Sequence, residues 1–557
     1  MTSQAAAAPT RLDSALERAR RWWSVAAAIR PAYVLGGLVC VQWLAVLTLG
    51  LTVRHNGWLY YAGGDQLWHY TGAYLLAHGH LPPSYVGYGW SLMLLPFAAI
   101  AGPNLVSALP AIILLNTLVL LPVALLCVYG IAARLAGRLF GYWAAALWIF
   151  LPYLGVLFVE PGYHQKYTEL TLPQLEGLSS VPDFPSTVAL LVSAYFCLRA
   201  AEAASGWQSG LAAGLAAGYS IAIKPSNSIF LVAPALLLLL TRRRNLLTFA
   251  AGLAPALLTL AVWKYRGLGA LAATPAAPIR LAAGVGGLLN RIHPPSLNSW
   301  AHLHQVLLAL REHFWIMRVL EWAPIAGTLA LLVRARRGFL LVGAWFAVYV
   351  LAKATYIPAS VEDASFWRIM MPAFPAFVLL GAAIVLAVPG LRPTPAVSTA
   401  GRGFRNALAA AVVLFAILPL GAVAAIPPLH DQGRLAVHFE NTLIPVSTAV
   451  HVDASARAGT VHLTWRDRTA GTAAGFYRIL RTSAPGGGVA CAGRRNGSSD
   501  NCVLYVDSVG TTKGTSFVDH PGRGTWTYRV GIAANWLDDP TLGDVYVVSL
   551  PVSVSTP

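Results

Sequence analysis

Apolar runs about one bilayer long recur along this chain as far as residue 427, and they limit what it can become. A membrane-crossing helix needs ~20 consecutive apolar residues. By that measure spans are expected near 33–53, 105–130, 139–158, 184–202, 208–223, 226–241, 246–264, 314–333, 338–355, 372–390 and 407–427. Lipid offers no partner to a backbone N–H or C=O, so runs of this kind have to fold as helices. Composition agrees, with 57% hydrophobic and 11% charged residues, where a soluble domain carries roughly a quarter charged. The expected fold class is a polytopic α-helical membrane protein with about 11 transmembrane helices.

The net charge of +17 does not point to nucleic acid, because the arginines stand in short clusters between apolar runs. Such clusters orient spans. If the N-terminal segment 1–32 (Arg11, Arg18, Arg20, Arg21, Arg30) is cytoplasmic, alternation puts four more clusters on the same side. These are Arg134/Arg138, Arg242–Arg244, Arg334/Arg336/Arg337 and Arg392/Arg402/Arg405. An odd span count then leaves the C-terminus outside. Residues 86–102 are apolar but short, and counting them as a span would invert every later loop. They are expected as a re-entrant or interfacial helix. The first apolar run begins after about thirty residues and is full length, so no cleavable signal peptide is expected. The location implied is the plasma (inner) membrane.

The transmembrane domain, 33–430, would then expose external loops 54–104, 159–183, 265–313 and 356–371. Most acidic residues before the C-terminal region, eight of twelve, fall on these loops. A transporter would carry ionisable groups in mid-membrane. These spans have almost none, Glu321 being the main exception.

After a linker, 431–444, the pattern changes to a period of two: Val461-His462-Leu463-Thr464-Trp465, Phe476-Tyr477-Arg478-Ile479-Leu480, Thr525-Trp526-Thr527-Tyr528-Arg529-Val530 and Val545-Tyr546-Val547-Val548. Turn residues separate these runs, which predicts an extracytoplasmic β-sandwich over 445–557. It resembles a fibronectin type III domain, with Trp465 as the inward tryptophan of an early strand and Tyr528 as the late-strand tyrosine. Cys40, Cys127 and Cys197 lie in apolar spans, where a thiol behaves as a small hydrophobe. Cys491 and Cys502 flank a Gly/Ser/Asn loop in the external domain, and a disulfide between them is expected. No cysteine spacing suggests zinc.

The loop after the first span is dense in functional side chains. Gly64-Asp65 is followed by Tyr70, Ala73-Tyr74-Leu75-Leu76-Ala77, Gly79, Pro82, Tyr88-Gly89-Trp90, Pro96 and Gly102. This constellation resembles the C-type (GT-C) membrane glycosyltransferases, a superfamily that includes the protein O-mannosyltransferases and lipid A aminoarabinose transferases. There an Asp or Asp-Glu follows the first span, and an amphipathic helix follows the Asp. Here a lone Asp65 followed by Gln66 stands where many relatives have a second acidic residue. Ile221-Ala222-Ile223-Lys224-Pro225 and Trp367-Arg368-Ile369-Met370-Met371-Pro372 resemble the superfamily's span-ending lysine and late-loop arginine.

The resemblance implies a sugar donor on a polyprenyl phosphate and an envelope glycan, lipid or protein as acceptor. Such transfer needs a base for the acceptor hydroxyl and cations for the departing phosphate. Asp65 is the expected base, its pKa open to being raised by partial burial. Lys224 and Arg368 are the expected phosphate ligands, and the anomeric centre would invert. Glu160, His164, Lys166, Asp183, Tyr88 and Trp90 are candidates for the groove. The scheme calls for no cofactor, although Asp65 with Glu160 or Asp183 would suit a divalent metal. Each residue also has a structural reading. Asp65 and Asp183 suit helix N-caps, Lys224 suits a snorkelling helix end, and Arg368 suits a surface pair with Glu362 or Asp363. Two rivals share lipid substrates: an oligosaccharide polymerase or ligase, and a lipid or glycan transporter.

Overall fold

The computed structural model describes residues 29–52, 64–101 (save 78, 80, 83 and 85), 105–158, 173–202, 206–268, 271–274, 277–279, 298–362, 365–388, 395, 402–427, 435–440, 446–468, 476–492, 501–533 and 545–557. The first part is helical. α1 (Pro31–Thr52) precedes two shorter helices, α2 (Gly64–Ala77) and α3 (Tyr88–Ala101). α4 (Leu105–Leu115) continues through a π-helical turn into α5 (Leu121–Ala136), and α6 (Arg138–Phe158) follows. Then come the single turn α7 (Pro173–Glu176), α8 (Asp183–Ala200), α9 (Trp207–Ile223), α10 (Val232–Thr241) and α11 (Arg243–Leu268). After a short β1–β2 hairpin (Leu271–Thr274, Ala277–Ile279) the chain forms α12 (Trp300–His313), α13 (Arg318–Arg334), α14 (Ala344–Ala354), α15 (Ser365–Met370), α16 (Phe374–Ala383), α17 (Arg402–Val412) and α18 (Leu418–Ala425).

Every expected span falls on helix. Among the described residues six helical segments are long and apolar enough to cross a membrane: Pro31–Thr48, Ala108–Ala136, Arg243–Gly267, Arg336–Ala354, Phe366–Ala387 and Gly403–Ala425. The chain is thus a polytopic helical membrane protein. α3 has 14 residues, about 21 Å at ~1.5 Å per residue, which is short of the ~30 Å hydrocarbon layer. Glu321 does not sit deep in a helix. It lies in the first turn of α13 and pairs with Arg311 and Arg318, the latter at 3.1 Å.

Small residues set the closest packing. Gly210, Gly214 and Gly218 recur every four residues on α9, the small-xxx-small pattern that lets membrane helices approach. A Cβ on Gly214 would fall 1.9 Å from the Phe249 carbonyl oxygen of α11, and one on Gly252 of α11 would fall 2.3 Å from that of Leu211. Any larger residue would push these helices apart.

The C-terminal part is a sheet domain. One sheet has the order β10 (Ser516–Asp519), β6 (Thr460–Asp467), β5 (Val450–Arg457). The other runs β3 (Leu435–Glu440), β9 (Asn501–Thr512), β7 (Phe476–Thr482), β11 (Gly524–Ala533), β12 (Val545–Ser549), β4 (Val446–Ser447), with β13 (Val552–Thr556) on β11 and β8 (Val489–Ala492) on β9. Alternate side chains of both sheets meet in one core, among them Val452, Leu463 and Trp465 opposite Ile479, Tyr528 and Val530. Asp519 of the first sheet clips the two together, accepting from Arg481 at 2.8 Å and Tyr528 at 2.7 Å of the second. The segment read as linker contains β3, which pairs antiparallel with β9 from Leu435↔Ser508 to Glu440↔Val503. Its pairing partner lies about seventy residues on, a distance at which local sequence gives no signal. β3 also packs against α2, and the Leu81 N–H donates to the Pro427 carbonyl at 2.8 Å.

Candidate active site

α2 turns one face into the core, where Gln66, His69, Tyr70 and Ala73 are all buried. That i, i+3, i+4, i+7 stripe leaves Asp65 half-buried at the start of the helix. Asp65 is not the cap: the helix begins at Gly64, Asp65 lies in its first turn, and its carboxylate meets the Arg368 guanidinium. Burial acts to raise this carboxyl, but Arg368 and Lys224 outweigh it and hold it below the usual range. The expectation of a raised value is therefore reversed by two nearby cations.

Asp183 begins α8 and its side chain is fully buried. Its approach is fastened by buried donors. Asn116 Nδ2 reaches the carbonyls of Gly177 and Ser179, each at 2.9 Å, and Trp90 Nε1 reaches that of Ser180 at 2.8 Å. The Ser186 and Thr187 hydroxyls donate to the Asp183 carbonyl, each at 2.8 Å. The carboxylate makes no cap. One oxygen takes Lys224 Nζ, and the other lies 3.3 Å from Arg368 Nη2.

Lys224 ends α9 in an extended conformation, φ −132° and ψ 98°, as expected of a residue preceding proline. A cation there also suits the negative end of the helix dipole. α3 presses on the same end: a Cβ on Gly87 would lie 2.1 Å from the Ala222 carbonyl oxygen, and one on Gly89 would lie 2.9 Å from the Ile223 nitrogen. Burial, reinforced by Arg368, lowers the Lys224 ammonium to about 7. Arg368 comes from α15, and its neighbour Trp367 lines an apolar crevice with Leu310, Phe314, Met370 and Phe377.

Four side chains named from sequence, Asp65, Asp183, Lys224 and Arg368, thus form one connected cluster of two acids and two bases. Tyr88 and Trp90, also read as groove residues, are fully buried. Tyr88 Oη donates to the Ala256 carbonyl at 3.4 Å, and Trp90 braces the turn before Asp183. Their aromatic bulk is spent on packing. Glu160, His164 and Lys166 lie outside the described residues. Two buried groups beside the cluster carried no sequence signal. His69 is driven down to about 3 by burial, so it stays neutral, and its Nδ1 lies 3.5 Å from Ser91 Oγ. Glu176 is raised to about 7 by burial, against the pull of Arg368 and Lys224. Among the described residues no group of three or more His, Cys, Asp or Glu side chains converges as a metal site.

No protein-family model and no curated protein matches the chain. Solved structures do. ArnT from Cupriavidus metallidurans bound to undecaprenyl phosphate is 13% identical, with a TM-score of 0.42 over 71% of each chain. The Archaeoglobus fulgidus oligosaccharyltransferase is 14% identical, with a TM-score of 0.40 over 72% of this chain and 57% of its own. The archaeal oligosaccharyltransferase AglB from Archaeoglobus fulgidus, in complex with an inhibitory peptide and a dolichol-phosphate, is 12% identical, with a TM-score of 0.38 over 72% of this chain and 57% of its own. Likeness at this level carries no weight for function, which has to come from the cluster itself.

Proposed function

We propose that this protein is a C-type membrane glycosyltransferase that moves a sugar from a polyprenyl-phosphate donor to an extracytoplasmic acceptor, with inversion. The observation that carries this is the position of Arg368. It holds Asp65 and Asp183 together, while Trp367, its neighbour, lines an apolar crevice. A cluster that brings two cations beside an apolar groove suits an amphiphile with a phosphate head and a hydrocarbon tail.

In this reading Lys224 supplies a point charge and Arg368 a planar fork to the phosphate. Asp183 positions both without touching the substrate. A phosphate arriving at Arg368 competes with Asp65 for the guanidinium. Released from it, Asp65 becomes more basic and takes the proton from the acceptor hydroxyl as that oxygen attacks the anomeric carbon. The bond from that carbon to the phosphate oxygen breaks, and the electron pair leaves with the phosphate. The packing of β3 on α2 supports a part for the sheet domain in receiving the acceptor.

The test is transfer of labelled sugar from a polyprenyl-phosphate donor by purified protein in lipid bilayers, with envelope glycan, lipid and protein fractions as acceptors. Label appearing in one fraction supports the reading. Absence of transfer from every such donor, with protein that flips lipid-linked sugar between leaflets, would replace it with a transporter.

A further inference from the structure

Glu176 is 3% exposed, and neither of its carboxyl oxygens has a hydrogen-bond partner among the described residues. Yet the turn that carries it is built rather than loose. Gln174 Nε2 donates to the Trp148 carbonyl at 2.9 Å, and Ser179 Oγ donates to the carbonyl of Glu176 itself at 2.7 Å. Asn116 fixes the two carbonyls that follow. A carboxylate buried without donors is strongly disfavoured, so the side chain is neutral unless something reaches it.

The charges around it are those of the candidate site. Arg368, Lys224 and Asp65 all act on Glu176, and Asp183 heads α8, which packs on α7. α1, also packed on α7, carries no charged residue. With Lys224 protonated, two acids face two bases, so the cluster is neutral while Glu176 keeps its proton. Ionised, Glu176 would leave a net negative charge exactly where an anion has to bind.

We propose that Glu176, in its protonated form, donates an O–H···O hydrogen bond to a phosphate oxygen of the lipid-linked donor, beside Lys224 and Arg368. This rests on the donor reading above. No bond is broken and the proton stays on Glu176. With the carboxyl held at about 7, raising the pH removes the donor and adds a repelling charge together.

The probe is the methyl ester of geranylgeranyl phosphate, a diester whose single charge does not change over the pH range used. Its Kd is measured on the full chain in lipid nanodiscs at pH 6 and pH 8.5. One-proton linkage predicts that binding weakens by up to ~30-fold across that interval. In Glu176→Gln, which keeps an N–H donor and cannot ionise, the change should be several-fold smaller. Equal pH dependence in the two proteins overturns the role of Glu176 and leaves the donor reading standing. If the variant does not fold, infrared difference spectroscopy of the parent at pH 8 decides, because it separates a protonated carboxyl from the Lys224 ammonium, which is also held at about 7. A gain in protonated-carboxyl C=O stretch on probe binding supports the proposal, and no gain ends it. Failure of the parent to bind the probe at pH 6 removes the donor reading as well.

Discussion

Arg368 Nη2 lies 3.3 Å from Asp183 Oδ2, across 185 residues of chain. The same nitrogen meets Asp65, which comes from yet another part of the sequence. One guanidinium therefore ties the helix after the first span to the start of α8, and Asp183 passes that link on to Lys224 at the end of α9.

Asp65→Asn keeps the shape of the side chain and removes its basicity. The protein should still insert and fold while turnover falls by roughly 10²–10⁴. Sugar-transfer rates on purified protein check this, and full activity would end the base assignment.

Asp183→Ala leaves two cations at a buried site without their shared partner. The expected loss is about 3–5 kcal/mol of stability, read by thermal or denaturant unfolding in a lipid environment. Pairing it with Lys224→Met should recover part of that loss, because one stranded charge goes with it. A single variant as stable as the parent would mean that water already screens the pair.

The lowered Asp65 pKa has a defined sign for stability. Protons bind the unfolded carboxyl near its ordinary value of 3.8, so the contribution of the ion pair is complete above that value. It is lost as pH falls through the lower folded value. The difference in melting temperature between the parent and Asp65→Asn should stay level from pH 7 to 5 and shrink below about 4. A difference that already moves in the parent's favour as pH falls from 7 to 5 would show a raised carboxyl instead.

Cys491 and Cys502 stand directly opposite each other in the β8–β9 register, although their side chains lie outside the described residues. The expected outcome is a cross-strand disulfide, since directly opposed strand residues bring their Cβ atoms close. Alkylation masses with and without reductant report it. Two free thiols in protein purified without reductant would count against an external sheet domain.

How much of this was legible differs from element to element. Helices at the eleven apolar runs follow from a local rule, because a long apolar stretch in lipid has no other way to satisfy its backbone. The period-two runs Val461–Trp465 and Thr525–Val530 became β6 and β11 for the same kind of reason, as alternation needs only a strand with one buried face. Lys224 and Arg368 were found by likeness of short motifs, and Asp183 was visible only as a plausible helix start. What no local pattern holds is convergence. Lys224 reaches Asp183 because Gly87 and Gly89 let α3 press on the end of α9, and because Gly214 and Gly252 let α9 and α11 close up. The burial of Glu176, His69, Tyr88 and Trp90 depends on neighbours from other helices. β3 was hidden for the same reason, its partner strand lying far along the chain. By itself the sequence determined a helical membrane chain with a sheet at its end, since both follow from solvation of one segment at a time. Only the tertiary structure decided which charges meet, because that depends on how closely distant helices pack.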